Sequence, residues 1–537
     1  DPMTQEEVFV AAYTDGPLGA ADLFVRFSID VGQTWSSPQN LSNTAVEINV
    51  VGDPGDSFRP EVEARGGNVW IAWLDTFCPG GAQGSYSPGG DPTGFFCVYS
   101  VRSLDAGRTW SAREQLTDGA QDAFNLSGSS SDAGFALAWQ EDPLGLQPGE
   151  GEGPGDGGSG ARTSPGTDIY YTSLTAAAYV SGTPFPPSVE VTNNILTMVG
   201  SPAASRAQLR LAGATALLAY EETRGGGGSL GKNILFHSFP LTLPQVASAG
   251  DVLNEDVTEN CRRVRLISQG LGNTGPAGTT VVGLWRQGEE THGGPADILM
   301  RRAVNGYAIG DFQPVINLSA ADLGDPTGSD PFENARAHRA LLRGDFVAFV
   351  YDYTPDDVLA QGQLATYNTF VRVSEDGGVS WSSPKDLSGI SSFSILSGEP
   401  RLVGTPSTVP TGDPDDIQDR NVFFVVWGTH TNDGVFTPLD LFVRATTDRG
   451  RSFGPPTLLA TGPSEQSEAQ PRSNPAGTRL CAVYLDDVTG DHDVFLRCGI
   501  REEVPFIPTL GPRGISLLAL LLAAGGLSLL RRPRARA

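Results

Sequence analysis

Ser28-Ile29-Asp30-Val31-Gly32-Gln33-Thr34-Trp35 returns three times along the chain. The copies are Ser103-Leu104-Asp105-Ala106-Gly107-Arg108-Thr109-Trp110, Ser374-Glu375-Asp376-Gly377-Gly378-Val379-Ser380-Trp381 and a softened Thr446-Thr447-Asp448-Arg449-Gly450-Arg451-Ser452-Phe453. Each position has a physical task. The Asp and Ser/Thr side chains are expected to bond backbone N–H groups in a tight turn. The Gly supplies a positive φ that a Cβ would obstruct, and the aromatic is placed to fill the gap between neighbouring sheets.

The repetition reaches beyond these turns. Short apolar runs end in an aromatic residue at Tyr13, Trp73, Trp139, Tyr220, Trp285, Tyr351, Trp427 and Tyr484. A second strand follows each run, opening at residues 22, 97, 168, 233, 297, 368, 440 and 493, a period of roughly 70 residues. Tails such as Trp35-Ser36-Ser37-Pro38-Gln39-Asn40-Leu41-Ser42 supply a fourth strand. Short strands at a fixed period, separated by Gly/Pro/Asp turns, predict radial repetition of four-stranded antiparallel blades, an all-β multi-bladed β-propeller. Eight units are counted, with seven or six blades left open. The first unit lacks its innermost strand and the last ends after its third, near Ile500, so residues upstream of Asp1 are missing or the ring is eight-bladed.

The pattern S-x-D-x-G-x-[ST]-[WF] resembles the Asp-box, or BNR repeat, of sialidase-like β-propellers. That resemblance implies the propeller fold. It says little about activity, because the motif's role is structural.

Composition narrows the partners. A formal net charge of −26 with pI near 4.5 argues against nucleic acid, whose phosphates require Lys/Arg-rich surfaces. Of the five cysteines, Cys78 and Cys97 flank a Gly-rich loop, while Cys481 and Cys498 lie on consecutive antiparallel strands. Both pairs read as disulfides of an oxidising compartment, with buried small hydrophobes as the alternative. Five scattered histidines and no C-x-x-C or H-E-x-x-H spacing predict no metal centre and no cofactor. The acidic turns Asp413-Pro414-Asp415-Asp416 and Asp486–Asp493 carry oxygen ligands suited to Ca²⁺, although ordinary turn chemistry accounts for them as well.

Residues 1–500 are expected to form the propeller, 501–514 a linker bearing Ile507-Pro508-Thr509-Leu510, and 515–537 an apolar helix with a basic tail. The apolar run from Ile515 to Leu530 spans about 24 Å as a helix, short of the ~30 Å hydrocarbon core. Arg531-Arg532-Pro533-Arg534-Ala535-Arg536 would stay cytoplasmic. This layout resembles the IPTL-type C-terminal sorting signal of Gram-negative bacteria. The resemblance implies export, a sorting enzyme as partner, membrane association until processing, and display at the cell surface or release. A plain C-terminal anchor is the alternative.

Propeller topology turns loop length into a face. The stretch from the aromatic anchor to the next strand is 9 residues in the first and last units but 24 (73 to 97) and 29 (139 to 168) in the second and third. Variable length therefore gathers on the face opposite the repeated turns, where binding sites of repeat rings lie. Arginines open the first strands at Arg59, Arg206, Arg263, Arg336, Arg401 and Arg472, and these are the candidate ligand-binding residues. Acids follow the aromatic anchors, as at Asp75, Glu141, Glu222, Asp352 and Asp486. Cross-strand ion pairs such as Arg59 with Asp75 are one reading; an anion-binding cluster is the other.

The resemblance to sialidases implies three axial arginines for a carboxylate, a Tyr nucleophile assisted by Glu, and an Asp acid/base. Tyr351 and Tyr353 beside Asp352, or Tyr220 beside Glu221 and Glu222, supply these types, but Tyr220 and Tyr351 occupy the anchor slot. The Arg-Ile-Pro motif of those enzymes is absent, with Arg59-Pro60 a partial echo. No catalytic residue is assigned. The sequence favours a module that binds a glycan or a surface protein, with an exo-α-sialidase or related glycoside hydrolase as the alternative.

Overall fold

The computed structural model describes residues 1–500 apart from 2, 3, 5, 85–91, 146–165, 195–201, 224–231, 289–295, 320–332, 406–418, 436, 463 and 487–492. The chain divides into two compact units, Asp1–Gly499 and Ile500–Ala537. The linker, apolar run and basic tail expected over 501–537 lie outside the described residues. Among the described residues no helix is long and apolar enough to cross a membrane.

The first unit is all-β. Its second sheet sets the pattern: Ser57–Arg65, Asn68–Asp75, Cys97–Ser103 and Glu114–Gln115 pair in sequence order, each antiparallel to the last. The first hairpin turns at Gly66, with φ +59°. The same order recurs from first strands Asp122–Ser131, Ala204–Ala212, Asn260–Ser268, Asn334–Arg343 and Ile395–Gly404. A single parallel bridge, Ala296 to Asn334, joins the fifth and sixth sheets. The chain begins with the three strands Phe9–Asp15, Asp22–Ser28 and Gln39–Asn40. It ends with Gln466–Ser473, Arg479–Asp486 and Asp493–Ile500. Among the described residues helix is confined to short pieces such as Ala176–Val180 and Asp357–Gln361.

Packing explains why the second strands read as unbroken apolar runs. In a strand, alternate side chains leave on opposite faces. Ile71 and Trp73 join Leu23 and Val25 of the preceding sheet, whereas Trp70, Ala72 and Leu74 join Phe135, Leu137 and Trp139 of the next. Ala216, Leu218 and Tyr220 likewise face the third sheet, and Leu217 and Ala219 the fifth. Each second strand is a two-sided filling between neighbours, so both faces must be apolar. The anchors Trp73, Trp139, Trp285 and Trp427 are all at most 1% exposed, as expected of residues that end such strands.

The four repeated turns share one hydrogen-bond scheme. Gly32 N donates to Ser28 Oγ at 2.8 Å, Thr34 N to Asp30 Oδ1 at 2.8 Å, and Thr34 Oγ1 to Asp30 Oδ2 at 2.6 Å. Asp105, Asp376 and Asp448 accept the corresponding pairs from Thr109, Ser380 and Ser452. The Thr34 bonds hold the Asp30 carboxyl down at about 2. Gly32, Gly107, Gly378 and Gly450 have φ between +78° and +89°. These turns rest on the sheet before them. A Cβ at Gly107 would meet Val10 Cγ2 at 3.0 Å, one at Gly378 Met300 Cε at 3.4 Å, and one at Gly450 Val373 Cγ1 at 3.0 Å. Half-buried Trp110, Trp381 and Phe453 complete the apolar clusters between sheets. At Gly32, the neighbours a Cβ would strike are Cys498 and Cys481 of the last sheet.

Cys78 is bonded to Cys97 and Cys481 to Cys498, with Cα separations of 5.5 and 4.0 Å, and Cys261 is buried and belongs to neither disulfide.

Candidate functional site: arginines on the bulged first strands

Every first strand from the second unit to the last carries a β-bulge at the same place. The registers shift between Phe58/Glu61, Phe124/Ser127, Ser205/Gln208, Arg262/Arg265, Arg336/Arg339, Gly398/Arg401 and Ser467/Gln470. The bulged residue is left-handed in each: Arg59, Asn125, Arg206, Arg263, Ala337, Glu399 and Glu468 have φ between +47° and +54°. Non-glycine residues in this region each cost about 1 kcal/mol or more, so seven in register form a designed feature that re-aims side chains. Two residues further on stand Glu61, Ser127, Gln208, Arg265, Arg339, Arg401 and Gln470. Arg265, Arg339 and Arg401 thus occupy one level on three successive strands.

The first strands contact one another in succession from the second unit to the last. Charged side chains on first strands that are not neighbours in this succession also act on one another. Arg265 of the fifth unit, Arg210 of the fourth and Arg472 of the last all act on Glu61 of the second, while Glu468 of the last acts on Arg59 of the second. Burial pushes the Arg265 guanidinium down to about 10, with Arg263, Arg401 and Arg210 pushing the same way. Its Nε is buried without a hydrogen-bond partner. Burial, then Arg265 and Arg401, place Arg339 well below the usual arginine range. Its Nη1 donates to the His338 carbonyl at 2.7 Å. Burial and the arginines Arg265, Arg339 and Arg263 keep His338 neutral. That ring lies against the Arg263 backbone with neither nitrogen in a hydrogen bond of normal geometry.

Acids balance part of this charge. Arg401 Nη2 lies 3.8 Å from Glu399 and 3.6 Å from Glu468. Glu221 accepts from the Arg263 amide at 2.6 Å and from Lys232 Nζ at 3.2 Å. Burial, then repulsion by Glu63, lifts Glu61 to about 7 despite the arginines near it. Glu468 is also raised, by burial and then by Glu399.

Of the arginines singled out from sequence, Arg206, Arg263 and Arg401 belong to this cluster. Arg206 is half-buried, and desolvation lowers it far below the usual arginine range, with Arg263 acting in the same direction. Arg59 stacks over Phe58 and Phe124, 5.1 and 4.9 Å from the ring centres. Arg472 is exposed and acts on Glu61 from the side of the last unit. Arg336 stands apart. It covers the Tyr367 ring at 3.8 Å and sits opposite Asp352 in the register. There an arginine does face an acid across the strands and acts on it, whereas Arg59 does not face Asp75. Asp75 lies opposite Ser57 and takes its hydrogen bonds from Ser57, Thr44 and the Trp73 indole at 2.8, 2.7 and 3.2 Å. The bulge, which sequence spacing does not reveal, turns Arg59 away.

Sequence reasoning missed Arg265, Arg339, His338, Glu61, Glu399 and Glu468. The alternation of charged residues in Arg263-Val264-Arg265 and Glu399-Pro400-Arg401 was the available signal. Of the tyrosines, Tyr220 and Tyr351 are fully buried and raised by burial, and Tyr220 Oη lies 3.1 Å from His237 Nε2. Half-buried Tyr353 donates to Glu333 at 2.8 Å. Among the described residues no group of three or more His, Cys, Asp or Glu could hold a metal ion. Residues 413–416 and 487–492, with the acidic turns, lie outside the described residues, as do parts of both long loops.

No known protein family and no curated protein matches the sequence. Among solved structures, the chain is similar to a Hadza microbial sialidase at 8% identity and TM-score 0.35, covering 89% of this chain and 73% of that one. A leech intramolecular trans-sialidase matches at 13% identity and TM-score 0.36, covering 88% and 70%. A prolyl endopeptidase structure matches at 14% identity and TM-score 0.39, over 82% of this chain and 46% of that one. Likenesses this weak decide nothing about chemistry, and the site rests on its own geometry.

Proposed function

We propose that the sheets close into an eight-unit propeller, exported and displayed at the cell surface or released, that binds an anionic group of a glycan or protein at its axial arginines. The observation that carries this reading is the level formed by Arg265, Arg339 and Arg401, cations held together inside a protein of net charge −26. Planar guanidiniums pair bidentately with carboxylates and other oxyanions, and burial strengthens that pairing. Closure of the ring is supported by Gly32 lying against Cys481 and Cys498, and by Asn474 Nδ2 donating to Glu7 at 3.2 Å. Export is supported by the two disulfides and by the sorting-signal resemblance at 507–536. The second reading, a sialidase-type hydrolase, is favoured by the Tyr353–Glu333 hydrogen bond, a tyrosine backed by a carboxylate.

Release of a fluorescent aglycone from a sialoside separates the two. Binding on a glycan array without turnover supports the module. Turnover lost in Tyr353→Phe and in Arg401→Ala would sink it.

A further inference from the structure

The sign of the charge changes along the succession of first strands. Ala204–Ala212, Asn260–Ser268 and Asn334–Arg343, of the fourth to sixth units, carry arginines and no Asp or Glu. Ile395–Gly404 and Gln466–Ser473, which follow, bring in Glu399 and Glu468. The change falls at the bulge itself. Its left-handed residue is Arg206, then Arg263, then uncharged Ala337, then Glu399 and Glu468, all with φ of +53° or +54°. One repeated backbone geometry therefore presents cations before the sixth unit and carboxylates after it.

The two poles meet at Arg401. Its Nη2 lies 3.8 Å from Glu399 and 3.6 Å from Glu468, in each case too far for a hydrogen bond. Its Nη1 donates instead to the Glu399 carbonyl at 3.2 Å. The Glu399 and Glu468 side chains are 37% and 54% exposed, and among the described residues neither carboxylate accepts a hydrogen bond. On the cationic side, Arg265 and Arg339 have no acid within ion-pair distance among the described residues. The Arg265 Nε is buried without a partner, and Arg339 Nη1 bonds only a carbonyl, that of His338 at 2.7 Å. Each pole repels itself. Burial, then Arg263 and Arg401, lower Arg265, whereas burial, then Glu399, raises Glu468. The poles also adjoin, since Glu399 acts on Arg339 and Arg339 on Glu468.

A lone anion relieves only one of these poles. Resting on the reading of the arginines as an anion seat, we propose that its ligand is a zwitterion, with an oxyanion on Arg265, Arg339 and Arg401 and an ammonium on Glu399 and Glu468. The chemical class is an amino-acid-like group whose two charges are a few bonds apart. Such a ligand has no net charge, so the field of a protein at −26 does not repel it on approach. Its ammonium supplies the donors that Glu399 and Glu468 lack, and its oxyanion the acceptor that Arg265 and Arg339 lack.

The experiment is calorimetric titration of the full chain at pH 7 and constant ionic strength. The probes are the ω-amino acids from 3-aminopropanoate to 6-aminohexanoate, each against the simple carboxylate of the same length, propanoate to hexanoate. At one length the amino acid should bind about tenfold tighter than its partner, the worth of one charge-assisted hydrogen bond. Glu399→Gln combined with Glu468→Gln should bring the two to equal affinity, while Arg265→Gln weakens both. Amino acids no tighter than simple carboxylates at every length, or a preference that survives the double variant, overturn the zwitterion and leave the seat standing. Sulfate binding with none of these probes bound does the same. Absence of binding by every probe and by sulfate, with Arg265→Gln no different from wild type, overturns the seat and the zwitterion with it.

Discussion

Replacing Gly32 with alanine asks whether the first sheet is seated on the last. Gly32 has φ +80°, and a Cβ there would collide with Sγ of both Cys481 and Cys498. Holding alanine in the left-handed region costs about 1 kcal/mol. Forcing a methyl group into a packed contact adds about 1–3 kcal/mol, so the expected loss is about 2–4 kcal/mol. Gly378 is the internal control. Its φ is +89°, but its Cβ would meet flexible Met300 Cε at 3.4 Å, an ordinary contact. Gly378→Ala should therefore lose only the backbone share, about 1 kcal/mol. Urea midpoints followed by tryptophan fluorescence and far-UV circular dichroism measure both shifts and reveal any departure from a single transition. If Gly32→Ala proves as mild as Gly378→Ala, the first and last sheets are not seated on one another, and the closed ring is wrong.

Trp139→Ala removes an indole buried between the second and third sheets and should cost about 3–5 kcal/mol in the same assay. Asp352 is raised to about 6, by burial first, against an ordinary 3.8. Its folded pKa exceeds its unfolded value, so its contribution is fully present below about pH 4 and declines as pH rises through 6; Asp352→Asn should abolish that decline in Tm against pH. Asp30 is depressed to about 2 and runs the other way: its contribution is present above pH 4 and fades as pH falls towards 2. Thiol titration of the unfolded, unreduced protein should find one thiol per chain, Cys261; five would contradict both disulfides and weaken export.

The strand plan was legible because it rests on local chemistry and on burial from both sides. A strand filling the space between two sheets must be apolar throughout, so Val69–Trp73 and Phe423–Trp427 announce themselves, and an anchor such as Trp139 marks each end. The turn at Ser28–Trp35 was legible because its hydrogen bonds close within eight residues. The site was only half legible. Arginines at the starts of first strands were visible as types, and Arg206, Arg263 and Arg401 do lie in the cluster. A bulge, however, is a tertiary choice of register, so opposing Arg59 to Asp75 by counting residues fails. Arg265, Arg339 and Glu61 enter the cluster only because the bulge resets the alternation beyond it. Glu61 and Arg265 are 204 positions apart in the chain, and only the tertiary arrangement of the first strands brings them within electrostatic reach.

Anomalous diffraction from crystals grown at pH 6 and soaked in selenate, a heavier analogue of sulfate, tests the central claim most directly. The account predicts a selenium peak between the first strands, within hydrogen-bond distance of the Arg265, Arg339 and Arg401 guanidiniums and absent in Arg265→Gln. Selenate found only on the outer surface, with the space between those arginines empty, would contradict it.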